Sequence, residues 1–335
     1  MVVYGHLGYA GWVPLVAGCA SIGVVLFFFL SGFLMGHHYL PAATTGLSPA
    51  KATPYWGAFL LRRFLRVYPP YLFAPVVGYL LLMPKMPPDF EQKISFESLS
   101  VLGELARFGT FREQLGIYWT IEIELFFYLL YPLIISLFLL CRNQAAMLFL
   151  AIGALVFFNH FPHGLHGVSW RVPLPLFWVG YISVFVAGIF AAILAQKMPA
   201  VLHTWRPGPN ARTAIAFIAL SLTVVLISRS SPTHGSIWTL EWWFIALFFL
   251  MFLSLLQSNG LIGNILSSRF CTAIGRASYS LYLTHIIAIH IVIDRVSPEY
   301  QGILAAVIVL SVLTFIYYMF MEKPFVILSK RIRVK

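Results

Sequence analysis

Long apolar runs, separated by short polar stretches, form the main pattern along this chain. A helix that crosses a bilayer needs about 20 residues, with a range of roughly 17–25, and most of the runs have that length. Their length and the lack of strict alternation favour helices over the strands of a barrel. The apolar segments lie at 22–38, 67–83, 119–140, 147–160, 174–195, 213–228, 238–256, 277–293 and 301–320, of which 147–160 is the shortest.

Residues 1–10 have the composition of one further helix that begins upstream of this sequence. Together with the other runs they predict an all-α integral membrane protein. We expect a polytopic bundle of about ten transmembrane helices, the first truncated at its N-terminus. The bundle forms a single transmembrane domain over 1–335, and the loop 84–118, rich in proline and acidic residues, forms a small outer cap or lid.

Composition supports a membrane location. Of the 335 residues, 60% are hydrophobic and only 10% are charged. An ordinary soluble domain carries roughly 25% charged residues. A water-soluble globule of this size has no way to bury so much apolar surface, so most of it must face lipid or other helices.

The formal net charge of +11 raises the question of a nucleic-acid partner. The basic residues lie in short loops between apolar runs, which is the pattern that sets topology in a bilayer rather than a groove that follows phosphates. If loop 39–66 is cytoplasmic, alternation puts most of the 22 Lys and Arg residues on the same side. This bias predicts a multi-pass protein of the inner (plasma) membrane, with a cytoplasmic C-terminus and no nucleic-acid partner.

Ionisable residues inside the apolar runs are the first candidates for chemistry, because each costs roughly 2.5–3.5 kcal/mol at membrane depth. The imidazole of His6, in the incomplete first helix, can take a proton from a hydroxyl near neutral pH. Glu124 shares a helix face with Tyr128, whereas Glu122 lies about 200° away. A carboxylate beside His6 would fix its tautomer and stabilise the imidazolium. Two structural interpretations stay open: an interfacial His6, and a Glu124 that partners a buried arginine.

Arginines at the entry of the second apolar run are candidates for donor binding. Arg63 and Arg66 are three residues apart and therefore share a helix face, and Arg276 lies at the cytoplasmic edge of a later run. Such arginines commonly anchor a helix end at the headgroups. Their guanidinium forks also suit the phosphates of an anionic cytoplasmic donor.

A polar stripe is formed by Ser278, Tyr282 and His285, at three- and four-residue spacing. Polar side chains at membrane depth face other helices or a water-filled cavity. The stripe therefore either lines a tunnel or supplies hydrogen bonds between helices.

Metal chemistry is not favoured by the sequence. His160, His163 and His166 recur every third residue, but Pro162 and Gly164 interrupt any helix that would align them. A solvated outer loop explains them better than a metal site. The sequence has no zinc spacing, no Gly-rich phosphate loop and no GxSxG elbow, so we expect no metal.

Several motifs, taken together and in order, resemble the acyltransferase 3 family of membrane O-acyltransferases. No single motif is specific, but the ordered set spans nearly the whole chain. The motifs are His6, residues 23–34 (GVVLFFFLSGFL), Arg63 with Arg66, residues 119–132 (WTIEIELFFYLLYP), residues 275–285 (GRASYSLYLTH) and residues 322–324 (EKP).

The resemblance implies a ten-helix membrane enzyme that takes an acyl group, often acetyl, from a cytoplasmic acyl-CoA. The enzyme passes this group to a sugar hydroxyl on a polysaccharide or another glycosylated acceptor. His6 matches the family's first-helix histidine and Glu124 its fourth-helix glutamate. The pair Arg63 and Arg66 matches the family's arginine pair.

The chain also departs from the family pattern. Val25 and Leu125 stand where the family usually has acids. The family also usually has an arginine further upstream of the histidine, at a position that would precede residue 1 of this sequence, so that either the start is mis-assigned or the chain is truncated. The soluble hydrolase-like domain that is fused to some members is missing as well. A separate extracytoplasmic transferase partner is therefore expected to finish the transfer.

The predicted mechanism places the CoA phosphates on Arg63, Arg66 and Arg276 at the cytoplasmic face. His6, oriented by Glu124, deprotonates the acceptor hydroxyl, which attacks the thioester carbonyl. We expect a further set of polar side chains to line the site or to donate to the oxyanion. These are Ser31, Tyr128, Ser278, Tyr282 and His285.

The alternative from another class is a transporter or flippase of an acylated or lipid-linked glycan, which would also suit ten helices with sparse buried charge. A transporter commonly shows halved symmetry, with Gly- or Pro-broken helices in matching positions, and this sequence does not. A sensory or scaffold protein would not require a buried histidine and glutamate together.

Overall fold

A computed structural model describes most of the apolar runs. The described residues are 2–9, 19–44, 49–82, 119–140, 174–197, 209–229, 246–252, 254, 261–293 and 300–332. Within these ranges the chain is helical apart from short turns, and no strand occurs, so the all-α prediction is confirmed. The predicted cap 84–118, the short run 147–160 and the histidines of 160–166 lie outside the described residues.

The helices follow the order of the predicted apolar runs. They are α1 (Val2–Tyr9), α2 (Cys19–Thr44), α3 (Pro49–Leu82), α4 (Trp119–Leu140), α5 (Leu174–Lys197), α6 (Pro209–Arg229), α7 (Leu261–Leu266), α8 (Arg269–Arg276), α9 (Ser278–Ile293), α10 (Tyr300–Tyr317), a π-helical turn (Tyr318–Glu322) and α11 (Lys323–Arg331). Residues 246–252 are also helical. Two short helices, α7 and α8, lie between the runs 238–256 and 277–293, where the sequence predicted a loop.

Two helices extend well beyond their apolar runs. Helix α3 begins at Pro49, although its apolar run starts at 67. Helix α10 continues through the π-helical turn into α11, which ends at Arg331 instead of near 320. Hydropathy marks where a helix meets an apolar environment, whereas the backbone hydrogen bonds of a helix continue into polar segments. The arginines of α3 therefore lie on a continuous helix.

The described helices include two that are long and apolar enough to cross a membrane, by length and composition. These are Ile22–Tyr39, with mean hydropathy 1.5, and Gly302–Arg331, with mean hydropathy 2.5. Large apolar side chains are exposed along the second, as expected of a surface that faces lipid rather than water. Among them are Val312, Phe315 and Phe320. The arrangement of about ten spanning helices stays a prediction.

The chain divides into two compact units, whose boundaries fall inside α4 and α8 and directly after the first residue of α1 and of α3. The first unit comprises Met1–Val2, Val16–Pro49 and Leu130–Thr272, and the second comprises Val3–Leu15, Ala50–Leu129 and Ala273–Lys335.

In the first unit, α2 and α5 pack with their backbones in contact. A Cβ atom added to Gly32 would lie 2.1 Å from the carbonyl oxygen of Phe185, and one added to Gly188 would lie 2.1 Å from the carbonyl oxygen of Phe29. Small residues at a crossing let helices approach this closely where lipid provides no hydrophobic drive. The rings of Phe28 and Phe185 pack beside the crossing, with centroids 4.8 Å apart.

In the second unit, a small apolar cluster joins α1 to α9 and α10. Leu7, Ile289, Val292 and Ala306 are buried against one another. The hydroxyl groups of Thr284 and Thr314 add a hydrogen bond of 3.1 Å between α9 and α10. This packing fixes α1 against α9. It therefore also fixes the position of His6, which precedes Leu7.

Candidate active site

Two histidines from distant parts of the sequence lie side by side in the second unit. The ring centroids of His6 and His285 are 5.2 Å apart, and the ring planes are inclined by 51°. His285 is fully buried, and His6 is half-buried. The pairing follows from the cluster described above, because Leu7 is adjacent to His6 and Ile289 lies one turn beyond His285.

The tautomer of His285 is fixed by its own helix. Nδ1 lies 2.5 Å from the backbone carbonyl oxygen of Tyr282. Because a carbonyl oxygen only accepts, Nδ1 carries the proton, and Nε2 of the neutral ring is left as an acceptor. Nε2 is buried and has no hydrogen-bond partner among the residues that the structure describes.

Tyr282 connects the histidine pair to the start of α4. Its ring centroid lies 5.5 Å from that of His285, and its hydroxyl forms a 2.6 Å hydrogen bond with the Thr120 hydroxyl. Thr120 was not a candidate from the sequence. The available signal was its place beside Trp119 in the motif of residues 119–132.

Glu124 lies in a buried group with an aromatic ring and an arginine. The Tyr128 hydroxyl donates to Oε1 of Glu124, and both side chains are buried. The Arg63 guanidinium carbon lies 5.3 Å from the centre of the Tyr128 ring and 5.9 Å from that of Phe59, in the range of cation–π attraction. The predicted shared face of Glu124 and Tyr128 is therefore present, and the interpretation of Glu124 as a partner of a buried arginine stays open.

The Glu124 group and the histidine pair are neighbours within the second unit. The carboxylate of Glu124 lies within electrostatic range of the hydroxyls of Tyr279 and Tyr282. Tyr282 in turn contacts His285, which contacts His6. The two residues predicted to do the chemistry, His6 and Glu124, thus lie in the same unit and are linked through His285 and Tyr282.

The remaining predicted site residues differ from one another in their exposure and in the helix on which they lie. Arg66 on α3 and Arg276 at the end of α8 are exposed, whereas Arg63 is half-buried. Ser278 is exposed, and its hydroxyl donates to the carbonyl of Gly275 at 2.9 Å, so it supports the bend between α8 and α9 instead of joining Tyr282 and His285. Ser31 lies on α2 in the first unit, and its role beside the site stays a prediction.

A buried carboxylate, that of Glu322, holds the beginning of α9. Glu322 was not among the site residues predicted from the sequence. Glu322 is 1% exposed, and its Oε2 accepts from the backbone N–H of Ser280 at 3.0 Å and from its hydroxyl at 2.5 Å. Ser280 is in the first turn of α9, where backbone N–H groups lack helical partners and a negative charge is favourable. Arg66 lies within electrostatic range of the carboxylate. The sequence signal for Glu322 is the EKP triplet of residues 322–324.

The π-helical turn that ends at Glu322 explains how the carboxylate reaches α9. Such turns widen a helix locally and are frequent at functional sites. Two tyrosines anchor the same region to α3: Tyr279 donates to the Val67 carbonyl at 2.8 Å, and Tyr317 donates to the Pro70 carbonyl.

We expect Glu322→Ala to lower the unfolding temperature of the purified protein and Glu322→Gln to lower it less. Removing the carboxylate leaves two buried donors of Ser280 unsatisfied, at about 1–3 kcal/mol each, whereas glutamine keeps an acceptor. Ser311→Ala is a suitable control, because that exposed hydroxyl bonds only its own helix, at the Val307 carbonyl. Equal unfolding temperatures for Glu322→Ala and this control would contradict the capping role.

One family of known proteins matches the whole of this region of the sequence. The model of the acyltransferase 3 family, which represents an acyltransferase domain, matches residues 1–322. The matched range includes His6, Glu124, His285 and Glu322. No curated protein and no solved structure gives a significant match.

Proposed function

The chain belongs to the acyltransferase 3 family, and we propose that it moves an acyl group from acyl-CoA to a hydroxyl of a carbohydrate or glycosylated acceptor. Acetyl-CoA is the donor that we propose first. Family membership makes the protein a membrane acyltransferase in general terms. The observation that carries the finer proposal is the His6–His285 pair beside the buried Glu124 group.

His6 is the general base of the proposed reaction. A ring nitrogen of His6 takes the proton of the acceptor hydroxyl as the hydroxyl oxygen attacks the thioester carbonyl carbon. The carbon–sulfur bond then breaks, and the thiolate of CoA takes the proton from the His6 imidazolium. The products are the ester and CoA thiol, with His6 neutral again. No metal takes part in this scheme.

Glu124 supports this chemistry through its charge. A buried carboxylate near the histidine pair stabilises the imidazolium that forms on His6, and the low dielectric around it strengthens the effect. Tyr128 donates its hydroxyl to the carboxylate. In our proposal it therefore positions Glu124, which differs from the oxyanion role predicted from the sequence.

The donor binds from the cytoplasmic side. Arg66 and Arg276 are exposed and can approach the CoA phosphates, whereas the Arg63 guanidinium lies against Tyr128 and Phe59. We propose that Arg66 and Arg276 contact phosphate and that Arg63 links donor binding to the Glu124 group. The C-terminus is cytoplasmic, the protein is multi-pass in the inner (plasma) membrane, and a separate extracytoplasmic transferase completes delivery to the acceptor.

We expect Arg66→Ala to raise the KM for acyl-CoA by about tenfold or more, since a hydrogen bond to a charged group is worth about 1.5–3 kcal/mol. The KM for the acceptor should change by less than twofold. Lys330→Ala, which removes an equal charge from an exposed residue of α11, is the control for general electrostatics. Equal changes in both KM values, or the same change in the control, would contradict phosphate binding by Arg66.

Acyl transfer itself can be tested in washed membranes of cells that make the protein. With acetyl-CoA labelled in the acetyl group, a transferase releases CoA thiol and moves label into a membrane or surface glycan. A transporter or flippase releases no CoA thiol. Membranes that lack the protein give the background, and label that stays entirely in acetyl-CoA would refute the proposal.

A further inference from the structure

We infer that His285 is the residue that orients His6, because its Nε2 atom accepts a hydrogen bond from a ring N–H of His6. The inference rests on the proposed function, in which His6 is the general base. It gives His285 the orienting role that the sequence assigned to Glu124, and it makes His285 a positioning residue that acts through His6.

Only one ring nitrogen of His285, Nε2, is available as an acceptor. Nδ1 donates to the Tyr282 carbonyl, and the Tyr282 side chain is itself held by Thr120. The ring keeps this orientation, because a flip would break the hydrogen bond to the Tyr282 carbonyl and form no other. His285 therefore presents Nε2 as a fixed acceptor.

The buried Nε2 atom of His285 requires a hydrogen-bond donor. Nε2 is buried, and among the described residues no donor bonds to it. A buried polar atom that is left unsatisfied costs about 1–3 kcal/mol, so an apolar residue would serve better at this position if His285 had no partner in the working protein. Structures keep such groups mainly where function uses them.

His6 is a neighbour of His285 that can donate this hydrogen bond. Its ring centroid is 5.2 Å from that of His285, a separation at which a nitrogen of one ring can hydrogen bond a nitrogen of the other. His6 is half-buried, so a modest rotation of its ring can complete the bond. Both rings sit on helices that are fixed by the cluster around Leu7 and Ile289.

The chemical consequence is a defined tautomer for the base. When one nitrogen of His6 donates to His285, the other carries the lone pair and can take the hydroxyl proton. The imidazolium that forms keeps its bond to Nε2, which becomes stronger because its donor is now charged. A neutral acceptor thus replaces the carboxylate of the usual catalytic triad, while Glu124 contributes charge from further away.

Three substitutions of His285 separate this role from simple packing. Glutamine places an amide oxygen close to the position of Nε2, asparagine keeps only the donor to the Tyr282 carbonyl, and alanine removes both. We expect kcat to fall about 30-fold or more in His285→Ala and His285→Asn, with the KM for acyl-CoA within twofold of wild type. His285→Gln should recover to within about tenfold of the wild-type kcat.

A double substitution tests whether His285 acts through His6. In a His6→Ala background, the further change His285→Ala should leave the residual rate unaltered, since residues that act as a unit are strongly non-additive. A further large loss would show an independent role and overturn the inference. So would a glutamine variant no more active than alanine, or an asparagine variant as active as wild type.

Failure of this inference can be distinguished from failure of the proposed function. If wild-type protein in washed membranes releases no CoA thiol from acetyl-CoA, the proposed function fails and the inference with it. If the wild type is active but the three variants do not separate as described, only the role of His285 is refuted. Unfolding temperatures of the three variants, measured in the same detergent, confirm that all are folded.

Discussion

Replacement of His6 by alanine is expected to reduce acyl transfer by about 10²–10⁴-fold, the range that a positioned general base contributes. The protein should stay folded, because the ring of His6 is only half-buried and its neighbour Leu7 keeps the contact with α9. Release of CoA thiol from labelled acetyl-CoA and the unfolding temperature are the two measurements. The KM for the donor should change little, since the proposed donor site is formed by arginines of α3 and α8.

His290→Ala provides the matched control for this result. His290 lies on α9 like His285, but its side chain is exposed, so its removal tests the loss of a histidine outside the candidate site. We expect activity near that of wild type. Full activity in His6→Ala, with an unchanged unfolding temperature, would remove the base from the mechanism and leave only the family assignment.

The helical elements were largely predictable from the sequence, because apolar runs of membrane length are a strong signal. The runs at 119–140, 174–195 and 213–228 agree with α4, α5 and α6 to within a few residues. The start of α3 and the end of the helix that begins with α10 were less predictable, since helical hydrogen bonding continues where hydropathy stops.

The contacts of the candidate site were predictable within one helix but not between helices. Spacing within one helix correctly put Glu124 and Tyr128 on one face, because the helical repeat alone decides this. Spacing could not show that His6 lies beside His285, since that contact joins α1 to a helix almost the whole chain away and depends on packing around Leu7. Spacing also could not show that the hydroxyl of Ser278, whose helical register matches Tyr282 and His285, bonds Gly275 at the turn between α8 and α9.

The role of Glu322 shows a different limit of prediction from the sequence. A glutamate at the end of an apolar run reads as a solvated helix end, and nothing local predicts that its carboxylate is buried. In the structure Glu322 ends a π-helical turn, which widens a helix locally, and its carboxylate accepts from the Ser280 N–H. A carboxylate that caps another helix is therefore visible only in three dimensions.

Alanine at Gly32 or Gly188 is expected to have the largest effect on stability. The added methyl group would lie 2.1 Å from a backbone oxygen of the facing helix in each case, at Phe185 for Gly32 and at Phe29 for Gly188. A backbone atom has no rotamer by which to move away, so α2 and α5 must separate as a whole. Overpacking of this kind costs about 3 kcal/mol or more, and we expect poor yield and a strongly lowered unfolding temperature.

Gly57→Ala is the same chemical change at a site with space. A Cβ atom at Gly57 meets no atom within 4 Å, and alanine is favoured over glycine inside a helix by roughly 0.5–1 kcal/mol. This variant should therefore be as stable as wild type or slightly more stable. The contrast between alanine at Gly57 and alanine at Gly32 or Gly188 isolates the helix crossing from helix propensity, since propensity favours alanine at all three positions. If Gly188→Ala unfolded at the wild-type temperature, the backbones of α2 and α5 would not be in contact, and the packing of the first unit would have to be different.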